Sequence, residues 1–317
     1  MKNLFRASAL LTMAFAASFA FADTYALCIG INDYPEPVDA ERNPILDENG
    51  DPITDDLTGC VNDAKGYQKL LMDKFGVPED NIRILLDKDA TEANFIRDLQ
   101  WLLSVVKPGD SVFISYSGHG AQIPADDQPE EEDGLLEVLV FYDTLIPDDL
   151  IADIARNLTN GGIHSTFVFD NCFSGGINKA AGEGELLDRE WKSSTNRWTD
   201  GERLTKSKAY RSMDGGAQSM LKTAAKKPRT LDVGSYIFLM AGQEDQPTID
   251  VQFKDGDPPS HGIFSFVLLD LLNADPTMDM QTAIEAVKII LKDAEFEQIP
   301  KIEASNFDRP DKKLIED

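Results

Sequence analysis

The strongest constraint on the fold is a series of short apolar segments that alternate with amphipathic ones. The segments 111–117 (SVFISYS) and 165–170 (STFVFD) are rich in apolar and β-favouring residues, which is typical of strands buried on both faces of a parallel sheet. The amphipathic segment that begins at Val61 ends before two helix breakers, Gly76 and Pro78. Strands are predicted at 25–32, 82–87, 111–117, 137–142, 165–170 and 235–241, and helices at 61–75, 91–103, 148–158, 261–272 and 280–296. This order predicts an α/β fold with a mainly parallel central sheet covered on both faces.

Two of the predicted strands end beside reactive side chains. His119 is flanked by glycines just after one strand, and Cys172 follows the other, three residues before Gly175-Gly176. Ligands bind at the carboxyl ends of the strands in such sheets, so topology predicts that the imidazole and the thiol meet. A thiolate with an imidazole within reach is the pair that nucleophilic catalysis requires. A buried core cysteine and a structural histidine are the alternatives for each residue alone, whereas the pair together favours catalysis.

The N-terminal segment has the layout of a secretory signal peptide. Lys2 and Arg6 precede an apolar stretch, 9–22, that ends in small residues. We therefore expect cleavage before Asp23 and an exported protein, periplasmic or secreted. No later stretch approaches the roughly 18 apolar residues of a membrane span, so no stable membrane insertion is expected after cleavage. An uncleaved membrane anchor is the alternative.

The charge distribution argues against nucleic acid as a partner. The chain has 56 acidic and 30 basic residues, a net charge of −26, and phosphate binding needs clustered bases. The exception is 177–230, which contains 12 Lys and Arg but only 7 Asp and Glu and shows little apolar periodicity. We interpret this stretch as a long exposed linker. The acidic residues in the rest of the chain have two interpretations: they keep the protein soluble, or some of them form a site for a hard cation or a basic substrate.

The number of cysteines makes Cys172 conspicuous. Only Cys28, Cys60 and Cys172 are present, too few for a disulfide framework, and the odd count requires a free thiol or an intermolecular bond. A free thiol in an oxidising compartment needs an explanation.

Several motifs, in the same order along the chain, resemble those of the caspase-like cysteine peptidases (peptidase family C14), in their metacaspase branch. The histidine motif is Tyr116–Gly120 (YSGHG) and the cysteine motif is Asp170–Gly175 (DNCFSG). Further similar segments are Leu57–Ala64 (LTGCVNDA), Asp133-Gly134, Tyr236–Ala241 with Gln243 and Gln246, and HGIFSFVLLDLL at 261–272. The resemblance implies a caspase-like three-layer αβα sandwich in a bacterial, exported, monomeric peptidase. The Gln-Ala-Cys pattern of animal caspases is absent, which points away from cleavage after aspartate.

The resemblance also implies roles for individual residues. Cys172 would be the nucleophile, His119 the general acid/base, and the backbone amides of Cys172 and Gly120 the oxyanion hole. Metacaspases bind Arg or Lys, the residue before the scissile bond, in an acidic S1 pocket. The matching positions here are Asp63 and Asp170, with Cys60 and Ser117 beside them. For Asp63 the alternative is a solvated acid in the first turn of a helix, and for Cys60 it is a disulfide with Cys28.

No cofactor is expected for the chemistry, but the resemblance raises calcium as a modulator. Asp133, Asp148 and Asp149 match three of the calcium-binding aspartates of metacaspases. The fourth position is Lys179, whose positive charge would oppose calcium binding. The acidic loop 126–132 could form a different hard-cation site, or it could simply be solvated.

The expected organisation follows the same resemblance. It comprises a signal peptide (1–22), a large-subunit region (23–176), the basic linker (177–230) and a small-subunit-like region (231–317) that completes the same domain. An enzyme that cleaves after Arg or Lys could process itself in the linker, at Lys206, Lys208, Arg211, Lys222, Lys226, Lys227 or Arg229. Two rival functions stay open: a catalytically silent calcium- or partner-binding module, and a clan relative with Asn or Asp specificity.

Overall fold

The structure is a computed structural model of the chain. It describes residues 22–36, 43–52, 54–124, 135–172, 185–188, 234–243, 248–252, 259–305 and 313–315. Residues 1–21 of the expected signal peptide, the acidic segment with Asp133, Lys179 and the seven candidate cleavage sites lie outside the described residues. Among the described residues, no helix is long and apolar enough to cross a membrane.

Strands and helices alternate along the first half of the chain. The strands are β1 (Thr24–Gly30), β2 (Ile82–Leu86), β3 (Ser111–Ser117), β4 (Gly120–Pro124), β5 (Leu135–Val140), β6 (Leu145–Pro147), β7 (His164–Asp170), β8 (Glu185–Asp188), β9 (Ser235–Met240), β10 (Ile249–Gln252), β11 (His261–Gly262) and β12 (Lys301–Ala304). The helices are α1 (Cys60–Phe75), α2 (Glu92–Val105), α3 (Asp148–Asn160), α4 (Ile263–Ala274) and α5 (Met280–Asp293).

A six-stranded sheet in the order β12-β9-β7-β3-β1-β2 forms the centre of the fold. Neighbouring strands are parallel, apart from β12, which runs antiparallel to β9. The predicted mainly parallel sheet is therefore confirmed. Strands β3 and β7 are neighbours, and Ser117 is paired with Asp170 at their carboxyl ends. This register determines which residues meet just beyond the sheet.

Helices cover both faces of the sheet, which confirms the three-layer sandwich. Side chains alternate along a strand, so Ile114 of β3 faces the layer of α2 and α3, while Phe113 faces the layer of α1, α4 and α5. The sequence signals at helix ends also hold. The Thr91 hydroxyl accepts the Asn94 N–H at 3.3 Å and caps α2, and α1 ends at Gly76, whose φ of 67° is left-handed.

Three segments differ from the prediction. The strand expected at 137–142 is β5, and it belongs to a separate antiparallel sheet, β4-β5-β6. The turn between β3 and β4 is too short for a parallel crossover, so the chain doubles back beside the sheet. Inside the expected linker, 185–188 pairs with β10 as β8.

The third difference is at the start of α4. The predicted helix at 261–272 begins only at Ile263, because His261 and Gly262 are extended and pair with β10 as β11. The backbone N–H of Gly262 donates to the Asp63 carboxylate, a contact that holds this segment outside the helix. The alternative of a Cys28–Cys60 disulfide is wrong, because none of the three cysteines forms a disulfide bond.

Candidate active site

The ends of β3 and β7 bring His119 and Cys172 to the same edge of the sheet. Each residue lies two positions beyond the paired residues Ser117 and Asp170. The Gly118 N–H donates to the Asp170 carbonyl at 3.3 Å and joins the two turns. Gly120 packs directly against the backbone of Cys172, since a Cβ at this position would lie only 1.5 Å from the Cys172 carbonyl oxygen. The sequence therefore predicted correctly that these two turns meet.

A backbone carbonyl orients the His119 imidazole. Its Nε2 lies 2.6 Å from the carbonyl oxygen of Asp55. A carbonyl can only accept a hydrogen bond, so Nε2 carries a proton and Nδ1 is the nitrogen that exchanges one. The candidate catalytic pair thus has a neighbour, Asp55, that acts through its main chain.

Two tyrosines fix the backbone around the imidazole. The His119 N–H donates to the Tyr34 hydroxyl at 2.9 Å, and the two rings lie 4.7 Å apart. The Tyr116 hydroxyl donates to the His119 carbonyl at 2.8 Å. Burial raises the pKa of Tyr34 well above its ordinary value, so this hydroxyl stays neutral over the working pH range.

The Cys172 thiol is buried against a short segment that precedes β10. Its Sγ accepts the Thr248 N–H at 2.8 Å, and the Thr248 hydroxyl lies 3.6 Å away. A backbone N–H directed at sulfur stabilises the negative charge of a thiolate. Cys28 is a contrasting case, because burial in the core raises the pKa of its thiol to about 12. Cys28 is therefore a neutral core residue at physiological pH.

The predicted S1 residues also come together. Asp63, in the first turn of α1, is fully buried, so the alternative of a solvated acid is wrong. The Ser117 hydroxyl donates to Asp63 Oδ2 at 2.6 Å, while Asp170, paired with Ser117, accepts the Ser265 N–H at 3.0 Å. Cys60 is the first residue of α1 and is buried beside this group. We call this buried group the acidic pocket, after the role that the resemblance implies for Asp63 and Asp170.

Two residues of the acidic pocket were not predicted. His261 Nδ1 lies 2.8 Å from Asp63 Oδ1. The buried Asp250 carboxylate accepts the N–H groups of Thr58 and Gly59, both at 2.8 Å, where α1 begins. The ribbon of β10 and β11 thus holds the first turn of α1, and with it Asp63. His261 stood in a recognised motif without an assigned role, and Asp250 carried no sequence signal.

The candidate calcium ligands fit only in part. Asp148 and Asp149 are adjacent at the start of α3, where Asp148 Oδ1 accepts the Asp149 N–H at 2.8 Å. Asp133 lies outside the described residues. Within the described part of the chain, no three His, Cys, Asp or Glu side chains are grouped so that they could hold a metal ion. Asp148 and Asp149 alone do not make a calcium site within the described part of the chain.

The fold and the site define a class. A six-stranded, mainly parallel sheet between helical layers, with a histidine and a cysteine at adjacent strand ends, is the architecture of the caspase-like cysteine peptidases. Residues 25–180 match the family model described as "Metacaspase, peptidase C14 domain". The chain therefore contains a metacaspase peptidase C14 domain, and metacaspases are cysteine-type peptidases.

Individual relatives agree with this assignment. The chain is 36% identical to Metacaspase-7 of Arabidopsis thaliana over 150 residues, which cover 45% of this chain and 37% of that protein. It is 25% identical to Metacaspase-1B of Aspergillus niger over 308 residues, which cover 89% of this chain and 64% of the relative. The chain thus spans about a third to two thirds of the length of these relatives.

A solved structure shows the same fold. The crystal structure of a protein from Geobacter sulfurreducens superimposes with a TM-score of 0.58 and 20% sequence identity, and covers 92% of this chain and 97% of that one.

Proposed function

We propose that this protein is an exported cysteine endopeptidase that cleaves peptide bonds after Arg or Lys. The observation that carries the proposal is the arrangement at the ends of β3 and β7. There the His119 turn contacts Cys172 through Gly120. Two buried carboxylates lie near the same strand ends: Asp63 accepts a hydrogen bond from Ser117, and Asp170 is paired with Ser117 across the two strands. The substrates are polypeptides, and the protein acts as a monomer.

The chemistry follows from the roles of the two side chains. His119 Nδ1 takes the proton of Cys172, and the thiolate attacks the carbonyl carbon of the basic residue, forming a C–S bond. The oxyanion accepts hydrogen bonds from the backbone amides of Cys172 and Gly120. The C–N bond then breaks as His119 returns the proton to the leaving amine. Water, deprotonated by His119, hydrolyses the thioester, releases the carboxylic acid product and restores the thiol.

Specificity comes from the buried charges of the acidic pocket. Asp63 and Asp170 are both at most 1% exposed, so a cationic side chain that enters the pocket meets two poorly solvated carboxylates. Charge-assisted hydrogen bonds to a guanidinium or an ammonium are strong in such surroundings. A neutral side chain would offer these carboxylates no charge-assisted hydrogen bond, and an acidic side chain would be repelled by them.

Self-processing and calcium modulation are further parts of the proposal. The basic linker at 177–230 offers Lys and Arg to the enzyme's own specificity. Calcium would act through Asp133, Asp148 and Asp149, and the charge of Lys179 opposes it. Long incubation of the purified wild type tests self-processing. A chain that stays intact on a gel, under conditions in which it cleaves a peptide substrate, would refute self-processing.

The test of the proposal is hydrolysis of an arginine-terminated fluorogenic peptide by residues 23–317. Wild type and Cys172→Ala are compared in EDTA and in millimolar calcium, with lysine, asparagine and aspartate peptides in parallel. We expect turnover of the arginine and lysine peptides that disappears in the variant. Dominant turnover of asparagine or aspartate peptides would refute the specificity. No turnover by a folded, reduced protein would favour the binding module.

A further inference from the structure

The acidic pocket contains an ionisable group of its own, the imidazole of His261. Its Nδ1 lies 2.8 Å from Asp63 Oδ1, and its side chain is only 13% exposed, against 0% for Asp63. A carboxylate can only accept, so Nδ1 donates in either charge state of the ring. When the ring takes up a second proton, the contact becomes an ion pair at the position where a substrate cation would bind.

The fold holds this ring in place. His261 pairs with Val251 in the β10–β11 ribbon, and the N–H of the next residue, Gly262, donates to both oxygens of Asp63. The other side of the ring packs against Phe266 of α4, with ring centroids 5.6 Å apart. His261 is therefore a fixed part of the pocket wall.

The charged groups around His261 are acidic. Asp63 contacts it from α1, and Asp250 lies in β10 opposite Gly262. Asp170 of β7 is anchored to α4 through the Ser265 N–H. Phe266, from α4, is uncharged. The protonated ring would thus lower the negative charge of the pocket, while the neutral ring leaves that charge intact.

We infer that His261 is a specificity-determining residue: its protonated ring competes with the Arg or Lys side chain of the substrate for Asp63. The inference rests on the proposed cleavage after Arg or Lys. A carboxylate that already pairs with a cation attracts a second cation less, since binding of one opposes binding of the other by the same factor. The neutral ring only donates a hydrogen bond and leaves the charge of Asp63 to the substrate.

A cationic imidazole exists only while the ring carries its second proton, which an imidazole gains as the pH falls. The KM for arginine peptides should therefore rise as the pH is lowered. Every other group of the site is the same in both enzymes of a comparison that changes only His261, so a difference in how KM depends on pH reports on this ring.

The test compares KM for the arginine peptide in wild type and in His261→Asn between pH 5.5 and 8.5. The asparagine amide can donate to Asp63 Oδ1 but carries no charge. Between pH 8.5 and pH 5.5 the wild-type KM should rise roughly three- to tenfold more than the KM of the variant. His164→Asn is the matched control, because this ring contacts Ser235 Oγ at 2.9 Å at the opposite end of β7. The control should follow the wild type.

A second measurement needs no variant at His261. The chain has three histidines, so the ring resonances of the wild type can be followed by NMR while a product peptide that ends in arginine is added. The spectra of His164→Asn and His119→Ala identify two signals, and the third belongs to His261. Binding of the peptide should shift the His261 resonance towards that of the neutral ring.

The outcomes are distinguishable. Equal KM ratios at all pH values, or a His261 resonance that the bound peptide leaves unchanged, would overturn the inference while cleavage after arginine stands. No cleavage of arginine or lysine peptides by the wild type would overturn the proposed function, and the inference with it.

Discussion

Replacement of Gly120 by alanine tests directly whether the contact between the two strand ends is needed for activity. The new Cβ would lie 1.5 Å from the Cys172 carbonyl oxygen, 2.7 Å from its carbonyl carbon and 2.6 Å from Asn171 Nδ2. Real Cβ atoms essentially never approach a heavy atom within 3.0 Å, so the backbone must open by at least 1.5 Å. Two of the three atoms belong to the main chain, and no rotamer change relieves the overlap.

The expected loss is large because the displacement occurs between the catalytic residues. Overpacking of this kind costs about 1–3 kcal/mol of folding free energy, and a misplacement of about 1 Å at a catalytic group can lower the rate about 100-fold. We therefore expect kcat/KM for the arginine peptide to fall at least about 100-fold in Gly120→Ala, with a lower Tm.

Gly161→Ala is the matched control. Its φ is an ordinary −77°, and the nearest atom to its Cβ would be 3.2 Å away. This variant should keep its activity and lose little stability. Circular dichroism confirms that Gly120→Ala is folded at the assay temperature. Wild-type kcat/KM and Tm in Gly120→Ala would show that the two turns are not in contact, and would refute the reasoning.

Three further predictions concern residues around the site. Burial raises the pKa of the Cys28 thiol from 9.0 to about 12, so above pH 9 the unfolded chain loses a proton that the folded state keeps. Urea unfolding should therefore show about 1.4 kcal/mol less stability at pH 10 than at pH 8. The Cys28→Ala variant should lack this contribution. Asp250→Asn removes a buried charge that accepts the Thr58 and Gly59 N–H groups just before α1, and it should cost about 2 kcal/mol in the same assay. Asp279→Asn, at the exposed N-cap of α5, should cost at most about 1 kcal/mol, and an equal, small loss in both variants would contradict the buried role of Asp250. Tyr34→Phe leaves a buried backbone N–H at His119 without its acceptor and should lower kcat more than it changes KM, whereas unchanged kcat would show that the hydroxyl does not position the imidazole.

The central features of the fold and the catalytic edge could be predicted because their signals are local. Apolar runs such as that of β3 specify buried strands, and the glycines around His119 mark a turn at the end of one of them. The rule that ligands bind at the carboxyl ends of parallel strands then places His119 and Cys172 at one edge. The caps at Thr91 and Gly76 are equally local, so the helix ends were predicted closely.

The site contacts that the sequence did not predict join distant parts of the chain. The hydrogen bond from Gly59 to Asp250 spans 191 residues, and that between Asp63 and His261 spans 198. No periodicity or spacing reports such a pairing. The role of Asp55 is performed by its carbonyl, so the side-chain identity carries no signal.

The measurement that tests the central claim most directly is covalent labelling with an arginyl acyloxymethyl ketone, followed by peptide mass spectrometry. The protein is residues 23–317 in reducing buffer. We predict one adduct per chain, on the peptide that contains Cys172, which disappears in Cys172→Ala and is strongly slowed in His119→Ala. Labelling should require the arginine, so an otherwise identical aspartyl ketone should react far more slowly. An adduct on Cys28 or Cys60, equal reaction of both ketones, or no adduct on a folded and reduced protein would contradict the proposal that Cys172 is the nucleophile of an Arg/Lys-specific peptidase.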